Sequence, residues 1–307
     1  MREHVEQKIW NAIVIRNFGS PLHSWEWARA KELSGETVKW FMIDDDRGFI
    51  AVPIMVRSKL RVIRAGWIPH GIPYKGELGY VKKRLKQFLY ANGLAALVTS
   101  FYGFMNASQL PESFLRINCG KSTETLVLRL TGETEDTLLK RFNKTTRKHI
   151  RRAEQQGIQC ENLKDRDFQH FWDFYEKFTI QNRFEPFITY PIFKRLIMLS
   201  NDSSFGLNYI AKKAVREGLT MGYLIALQMG ERAQELMRID LDSFKNEGVG
   251  PKFLTWAVIR SALERGVSIY DFGGVRRDVL PGIYQFKRGF GGELKRSNSF
   301  YKILFTI

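Results

Sequence analysis

Two blocks near the C-terminal end place a lysine, aromatic rings and paired glycines where they could act on an acyl group. The first is Tyr270-Asp271-Phe272-Gly273-Gly274-Val275. The second is Phe286-Lys287-Arg288-Gly289-Phe290-Gly291-Gly292. Glycine lacks a Cβ, so its backbone can approach a ligand closely. A lysine has a reference pKa near ~10.4 and is charged at neutral pH. Held at a glycine-lined bend, such a cation can neutralise the oxyanion that forms when an amine attacks an ester. Lys287 is therefore the candidate for oxyanion or leaving-group stabilisation, and not for proton abstraction. Its flanks set it apart from an ordinary solvated lysine at a strand end. Asp271, Asp278 and Glu293 are the nearby carboxylates. The residue types do not settle which of them, if any, is a base, and Asp271 reads best as a brace for the glycine turn.

A second constellation is Lys245-Asn246-Glu247-Gly248-Val249-Gly250-Pro251, a glycine-rich turn leading into a helix. Backbone N–H groups at such a helix start suit an anion. The spacing matches the R/Q-x-x-G-x-G/A loop that grips the coenzyme A pyrophosphate in GNAT-type acyltransferases. A plain tight turn explains it about as well. A third feature is the segment Lys140–Arg152, with seven Lys or Arg in thirteen residues. A run of this kind is usually a solvated helix face.

The whole chain biases that choice. It has 307 residues and 48 Lys and Arg against 32 Asp and Glu, a net charge of +16. Such an excess suits a polyanionic partner: nucleic acid, an anionic membrane face or a nucleotide-linked substrate. No run of eighteen apolar residues occurs, the N-terminus lacks a secretion-signal pattern, and a cytoplasmic location is expected. Cys119 and Cys160 form no CxxC pair, and the five histidines lack metal-ligand spacing. Neither a disulfide scaffold nor a metal site is expected, and no cofactor is implied.

The elements that must position these residues read as mixed α and β. Ala12–Ile15 is a short β-branched run that reads as a strand, and His23–Leu33 reads as a helix ended near Gly35, with Ser24 as its cap. Strands follow at 38–42, 48–56 and 59–63, with the acidic turn Asp44–Gly48 between the first two. A helix at 76–92 and a strand at 94–100 complete the first part. The second part opens with a strand near 126–130. A single amphipathic helix is expected over 136–156, with Leu139, Phe142, Thr146, Ile150 and Ala153 inward. Helices at 168–178 and 190–199, strands at 207–211, 221–229 and 235–241, a helix at 250–265 and strands at 268–272 and 299–305 follow. Both halves repeat the order helix, antiparallel strands, helix, strand, which suggests two related α+β units.

Taken with these blocks, the chain resembles the Fem (FemABX) family of aminoacyl-tRNA-dependent peptidyltransferases, which have two tandem GNAT-like domains. The resemblance rests on four blocks in family order. These are Ser24–Lys31, Trp67–Pro73, Asn143–Gly157 and the stretch Tyr270 to Gly291 with Asp278. It implies an α+β fold of two GNAT-like domains with mixed sheets, spanning 1–121 and 122–307, with a C-terminal strand at about 296–307 returning to the first. No heptad run marks the coiled-coil arm that many members carry.

The resemblance implies transfer of an amino acid from aminoacyl-tRNA to an amine of a peptidoglycan precursor, nucleotide- or lipid-linked. It assigns Lys287 to the charged tRNA terminus and the tetrahedral transition state, and Arg29 and Lys31 to the precursor diphosphate. Phe286, Asp271 and Gly273 join them at the substrate, and Arg183 stands in for an arginine missing from its usual place. Lys144, Arg147, Lys148 and Arg151, with Lys245, Gly248 and Gly250, are the expected tRNA contacts. Gln234–Asp240 lacks the tyrosines some members place there, so the acceptor pocket is expected to differ. Peripheral contact with the inner membrane face and a monomeric state complete the expectations. Two rivals remain at this stage: an acyl-CoA-dependent N-acyltransferase acting on a polysaccharide or other amine, and a non-catalytic RNA-binding protein on the same scaffold.

Overall fold

The computed structural model describes residues 6–59, 63–68, 71–73, 75–99, 114–117, 124–164, 166–181, 183, 185–201, 206–241, 249–275, 277–296 and 300–304. In chain order the first elements are α1 (Gln7–Arg16), α2 (Trp25–Leu33), β1 (Val38–Asp45), β2 (Gly48–Lys59), β3 (Ile63–Trp67), β4 (Lys75–Gly76), α3 (Leu78–Ala91), β5 (Ala96–Thr99) and β6 (Phe114–Ile117). Then come β7 (Glu124–Arg129), α4 (Glu135–Arg141), α5 (Lys144–Gln155), β8 (Gln159–Asn162), α6 (Asp167–Gln181), α7 (Tyr190–Asn201), β9 (Leu207–Arg216), β10 (Leu219–Met229) and β11 (Arg232–Asp240). The last are α8 (Gly250–Glu264), β12 (Ile269–Val275), α9 (Pro281–Arg288), β13 (Glu293–Arg296) and β14 (Phe300–Leu304). The chain divides into two units. One joins Met1–Thr125 with Lys194–Leu207 and Lys295–Ile307, and the other joins Leu126–Phe193 with Asn208–Leu294.

The first unit is built on a sheet in the order β1-β2-β3-β5-β14-β6, with β4 on β2. β1 and β2 form a hairpin that closes at Asp45 opposite Gly48. Crossover through α3 makes β3 and β5 parallel. The C-terminal strand β14 is antiparallel to both its neighbours, with Tyr301 facing Thr99 on one side and Arg116 on the other. The segment 194–207 is tied in by its own bonds. The Leu207 N–H donates to the buried Glu26 carboxylate at 3.1 Å, and Arg195 donates to Ser34 Oγ at 2.9 Å.

One expectation fails here. Residues 12–15 are not a strand but part of helix α1. Trp10, Ile13 and Val14 are buried while Ile9 and Ile15 are exposed, which is helical and not alternating burial. Such spacing on one face outweighs the β-branched composition of a four-residue run.

The second unit carries the order β13-β7-β12-β11-β10-β9-β8. It repeats the plan of the first: antiparallel strands, then a crossover helix, α8, that makes β12 parallel to β11. The expected single helix over 136–156 is two helices. Phe142 leaves the helical region at ψ 146°, and Asn143 restarts it by accepting from the Thr146 N–H at 2.8 Å. Asparagine is a favoured N-cap, and its side chain satisfies a backbone donor that the break leaves open. Phe142 is thereby driven into the core, where its ring meets Trp256 at 5.4 Å and Phe290 at 5.1 Å, both edge-on. Phe142, Thr146, Ile150 and Ala153 are inward as expected, whereas Leu139 is only partly buried and Leu138 takes the buried place. Among the described residues no helix is long and apolar enough to cross a membrane.

Candidate active site

The site begins where two strands part. β11 and β12 pair in parallel only from Arg232 opposite Ile269 to Gln234 opposite Asp271. Beyond that point β11 runs on to Asp240, still paired with β10, and β12 to Val275, but the two no longer pair with each other. The divergence coincides with a bulge in β11. Ile225 of β10 faces Met237, but the next residue, Ala226, faces Glu235, so Leu236 is the extra residue. Side chains three apart on a regular strand point to opposite faces. One inserted residue reverses that phase, which is how Glu235 and Arg238 both reach one cleft. The cleft, about 960 Å³, is lined by Glu235, Arg238 and Asp240 from β11, Gly273 and Gly274 from β12, and Phe286 and Lys287 from α9, among others.

Where strands part, carbonyl groups on that side lose their ladder partners, and buried carbonyls need donors. Lys287 supplies them. Its Nζ donates to the carbonyl oxygens of Phe272 at 2.5 Å, Gly274 at 3.2 Å and Gly273 at 3.4 Å. This corrects the expected placement. The lysine does not sit in a glycine-lined bend but on the last turn of α9, and it reaches across to the glycine bend of another element. Gly273 has φ +74°, and a Cβ there would lie 3.9 Å from the lysine nitrogen. Its conformation is one that side-chain-bearing residues rarely adopt.

α9 itself is fixed by Gly289. A Cβ at this position would come within 2.5 Å of Thr146 Oγ1, so the helix end can lie against the start of α5 only as glycine. The Asn143 N–H donates to the Gly289 carbonyl at 2.9 Å. Phe290 then plunges into the core, fully buried, against Phe142, Phe272 and Phe286.

The charged groups around Lys287 are held individually. Tyr270 Oη donates to Glu235 Oε1 at 2.9 Å. Arg238 is locked: its Nε donates to Asp240 at 2.7 Å, its Nη1 to Thr255 Oγ1 at 2.7 Å and its Nη2 to the Pro251 carbonyl at 2.7 Å, with its guanidinium 4.7 Å from the centre of the Phe286 ring. Burial holds the Glu235 carboxyl above the usual carboxylate range, against the opposing pull of Lys287, Arg238 and Tyr270. Burial also lowers Lys287 from the ordinary lysine value, with Glu235 and Asp271 opposing. Burial raises the Tyr270 phenol well above its usual value, so it stays a donor. A carboxyl pushed up and an ammonium pushed down in one cleft are the pattern expected of acid–base chemistry.

The expected site residues scatter more widely. Asp271 braces the bend, as read from the sequence: it is buried, accepts from the Gly273 N–H at 2.8 Å and pairs with Arg232 at 2.9 Å. Phe286 is in the cleft wall. Arg29 and Lys31 lie on α2 of the first unit, paired with Glu32 at 2.5 Å and Glu36 at 2.7 Å, and Lys31 is nearly buried over the Trp27 ring. Arg183 is exposed in the second unit, with φ 51°. On α5, Lys144, Lys148 and Arg151 are exposed, but Arg147 turns back to donate to the carbonyls of Lys140, at 3.1 Å, and Phe142. Arg147 thus caps the end of α4. Gly250 is buried as the first residue of α8, and Lys245 and Gly248 lie outside the described residues.

Glu235, Arg238 and Asp240 were not nominated from the sequence. The signal was present: four charged residues, Arg232 among them, in a strand whose other positions are mostly apolar. The three-residue spacing of Glu235 and Arg238 masked it, because only the bulge brings those two to one cleft.

The comparisons with known proteins agree with this architecture. A sequence profile described as the FemAB family matches residues 116–186 and 242–298, which include α4, α5, α8, β12 and α9. The crystal structure of FemX superposes with a TM-score of 0.75 at 14% identity, over 98% of this chain and 96% of that one. A protein of unknown function from Bacteroides thetaiotaomicron gives 0.66 at 13% identity, covering 99% of each chain. The structure of L-PGS from Bacillus licheniformis gives 0.59 at 12% identity, over 98% of this chain and 93% of that one. No curated protein matches in sequence. The motif blocks and the profile match make the chain similar to the FemAB family, and it shares the fold of the FemX structure.

Proposed function

We propose that this protein is an aminoacyltransferase that moves an amino acid from aminoacyl-tRNA to an amine on the stem peptide of a peptidoglycan precursor. The observation that carries the reading is Lys287 in the cleft of the second unit, its ammonium beside the Gly273-Gly274 bend. An amine attacking the ester carbonyl produces a tetrahedral oxyanion, and the leaving group is a ribose hydroxyl. The two longer lysine contacts, 3.4 and 3.2 Å, are those an oxyanion displaces at least cost. A cation in a water-poor cleft stabilises such a charge far more than it could in water. The FemAB profile match and the FemX likeness support this choice of donor and acceptor. The exposed cations of α5 are suited to phosphates of the tRNA.

The test is transfer of a radiolabelled amino acid from charged tRNA to a nucleotide-linked or lipid-linked precursor, with and without ribonuclease. Label should enter the precursor and ribonuclease should abolish it. Transfer that survives ribonuclease, or that requires coenzyme A esters, would refute the reading.

A further inference from the structure

Glu235 is the one carboxylate of the cleft that no other cation ties down. Asp271 is occupied by Arg232 and the Gly273 N–H, and Asp240 by Arg238. Glu235 has one oxygen fixed by Tyr270, and its other oxygen has no hydrogen-bond partner among the described residues. It lines the same cleft as Lys287, beside the bulge at Leu236. Asp278 and Glu293, the other carboxylates near the motif blocks in sequence, do not line the cleft.

Resting on the reading above, we propose that Glu235 is the catalytic base of aminoacyl transfer, with Tyr270 as its positioning residue. The acceptor nitrogen forms its bond to the ester carbon while the carbonyl electrons move to oxygen, where Lys287 meets them. The proton leaving nitrogen passes to the free oxygen of Glu235. When the tetrahedral species collapses, the carbon–ribose oxygen bond breaks and Glu235 returns that proton to the ribose oxygen. Atoms and charge balance without a further reactant, and Lys287 remains a cation throughout.

Glu235 is faced by Lys287 from α9, Arg238 and Asp240 from its own strand, and Tyr270 from β12. Burial places its carboxyl closer to neutral than an ordinary glutamate, which suits a base working near pH 7. The hydrogen bond from Tyr270 favours the carboxylate form.

The experiment is the pH dependence of kcat/KM for tRNA-dependent transfer by the full chain and by Glu235→Gln, Glu235→Asp and Tyr270→Phe. Ionisation of the acceptor amine is common to all four, so differences isolate Glu235. Glu235→Gln is expected to lose about 100- to 10,000-fold in kcat with little change in KM for the tRNA. It should also lack the acidic limb assigned to the carboxylate. Glu235→Asp should recover part of the rate. Tyr270→Phe should move the acidic limb to higher pH. Circular dichroism confirms that each variant is folded; if Glu235→Gln does not fold, the Tyr270→Phe shift decides. Wild-type-like rates and an intact limb in Glu235→Gln, or an unmoved limb in Tyr270→Phe, would overturn the assignment while leaving the proposed function in place. No tRNA-dependent transfer by the wild-type protein would overturn both.

Discussion

Two carboxylates whose charges act on Lys287 have opposite fates. Asp271 is almost fully buried, and its charge is consumed by Arg232 and the Gly273 amide. Removing one partner of a buried pair leaves the other charge uncompensated, which costs about 3–5 kcal/mol. Asp271→Ala is therefore expected to lower the urea unfolding free energy by roughly that amount. A loss under about 1 kcal/mol would mean the pair is solvated like a surface bridge. Glu235, by contrast, stands at a strand bulge with half its carboxylate uncommitted. Asp271's role as a brace was legible in the sequence, because an aspartate two residues before a glycine commonly binds its backbone N–H. Glu235 was not legible. Arg238, which lines the same cleft, is three residues away, and strand periodicity assigns two such residues to opposite faces unless a bulge intervenes.

At the level of elements, the site depends on α9 being pressed against the start of α5. Gly289 allows the close approach and Phe290 anchors it. Truncating a fully buried phenylalanine costs about 3–5 kcal/mol. Phe290→Ala should cost that much stability, and Gly289→Val should be comparably damaging through overlap with Thr146. Thermal unfolding followed by circular dichroism checks both. If Gly289→Val unfolds at the wild-type temperature, the contact of α9 with α5 is not what fixes the lysine.

The strands and helices of this region were mostly readable from periodicity and capping residues. The break at Phe142 and Asn143 was not. An amphipathic stripe runs through it without interruption, and only the cap geometry of Asn143 ends one helix and starts another. Helix α1 was missed for the converse reason: four β-branched or small residues outvoted a helical burial pattern that needs a longer window to be seen.

For the whole molecule, the net charge of +16 is a statement about partners. Exposed Lys144, Lys148 and Arg151 share one helix, whereas Arg147, expected to act with them, is spent on the end of α4. Binding to tRNA should weaken steeply with salt. Lys144→Glu, Lys148→Glu and Arg151→Glu should each make the log–log salt slope shallower by about one. Arg147→Gln should act mainly on stability. Fluorescence anisotropy with labelled tRNA across a salt series checks this, and unchanged slopes in all three reversals would remove α5 from the tRNA surface. Overall composition and the motif blocks pointed to two α+β units. The return of β14 to the first sheet was implied by the family resemblance and not by local pattern, and the tie of 194–207 to the first unit is a matter of tertiary contact that local pattern does not encode.

The measurement that bears most directly on the central claim is the single-turnover rate of amino acid transfer from charged tRNA, for wild type, Lys287→Arg and Lys287→Ala at matched tRNA occupancy. If the ammonium stabilises the oxyanion, Lys287→Ala should fall by roughly 100- to 1000-fold. Lys287→Arg should retain part of the rate, and tRNA affinity should change little. A Lys287→Ala protein that is folded, binds tRNA and transfers at the wild-type rate would contradict the account.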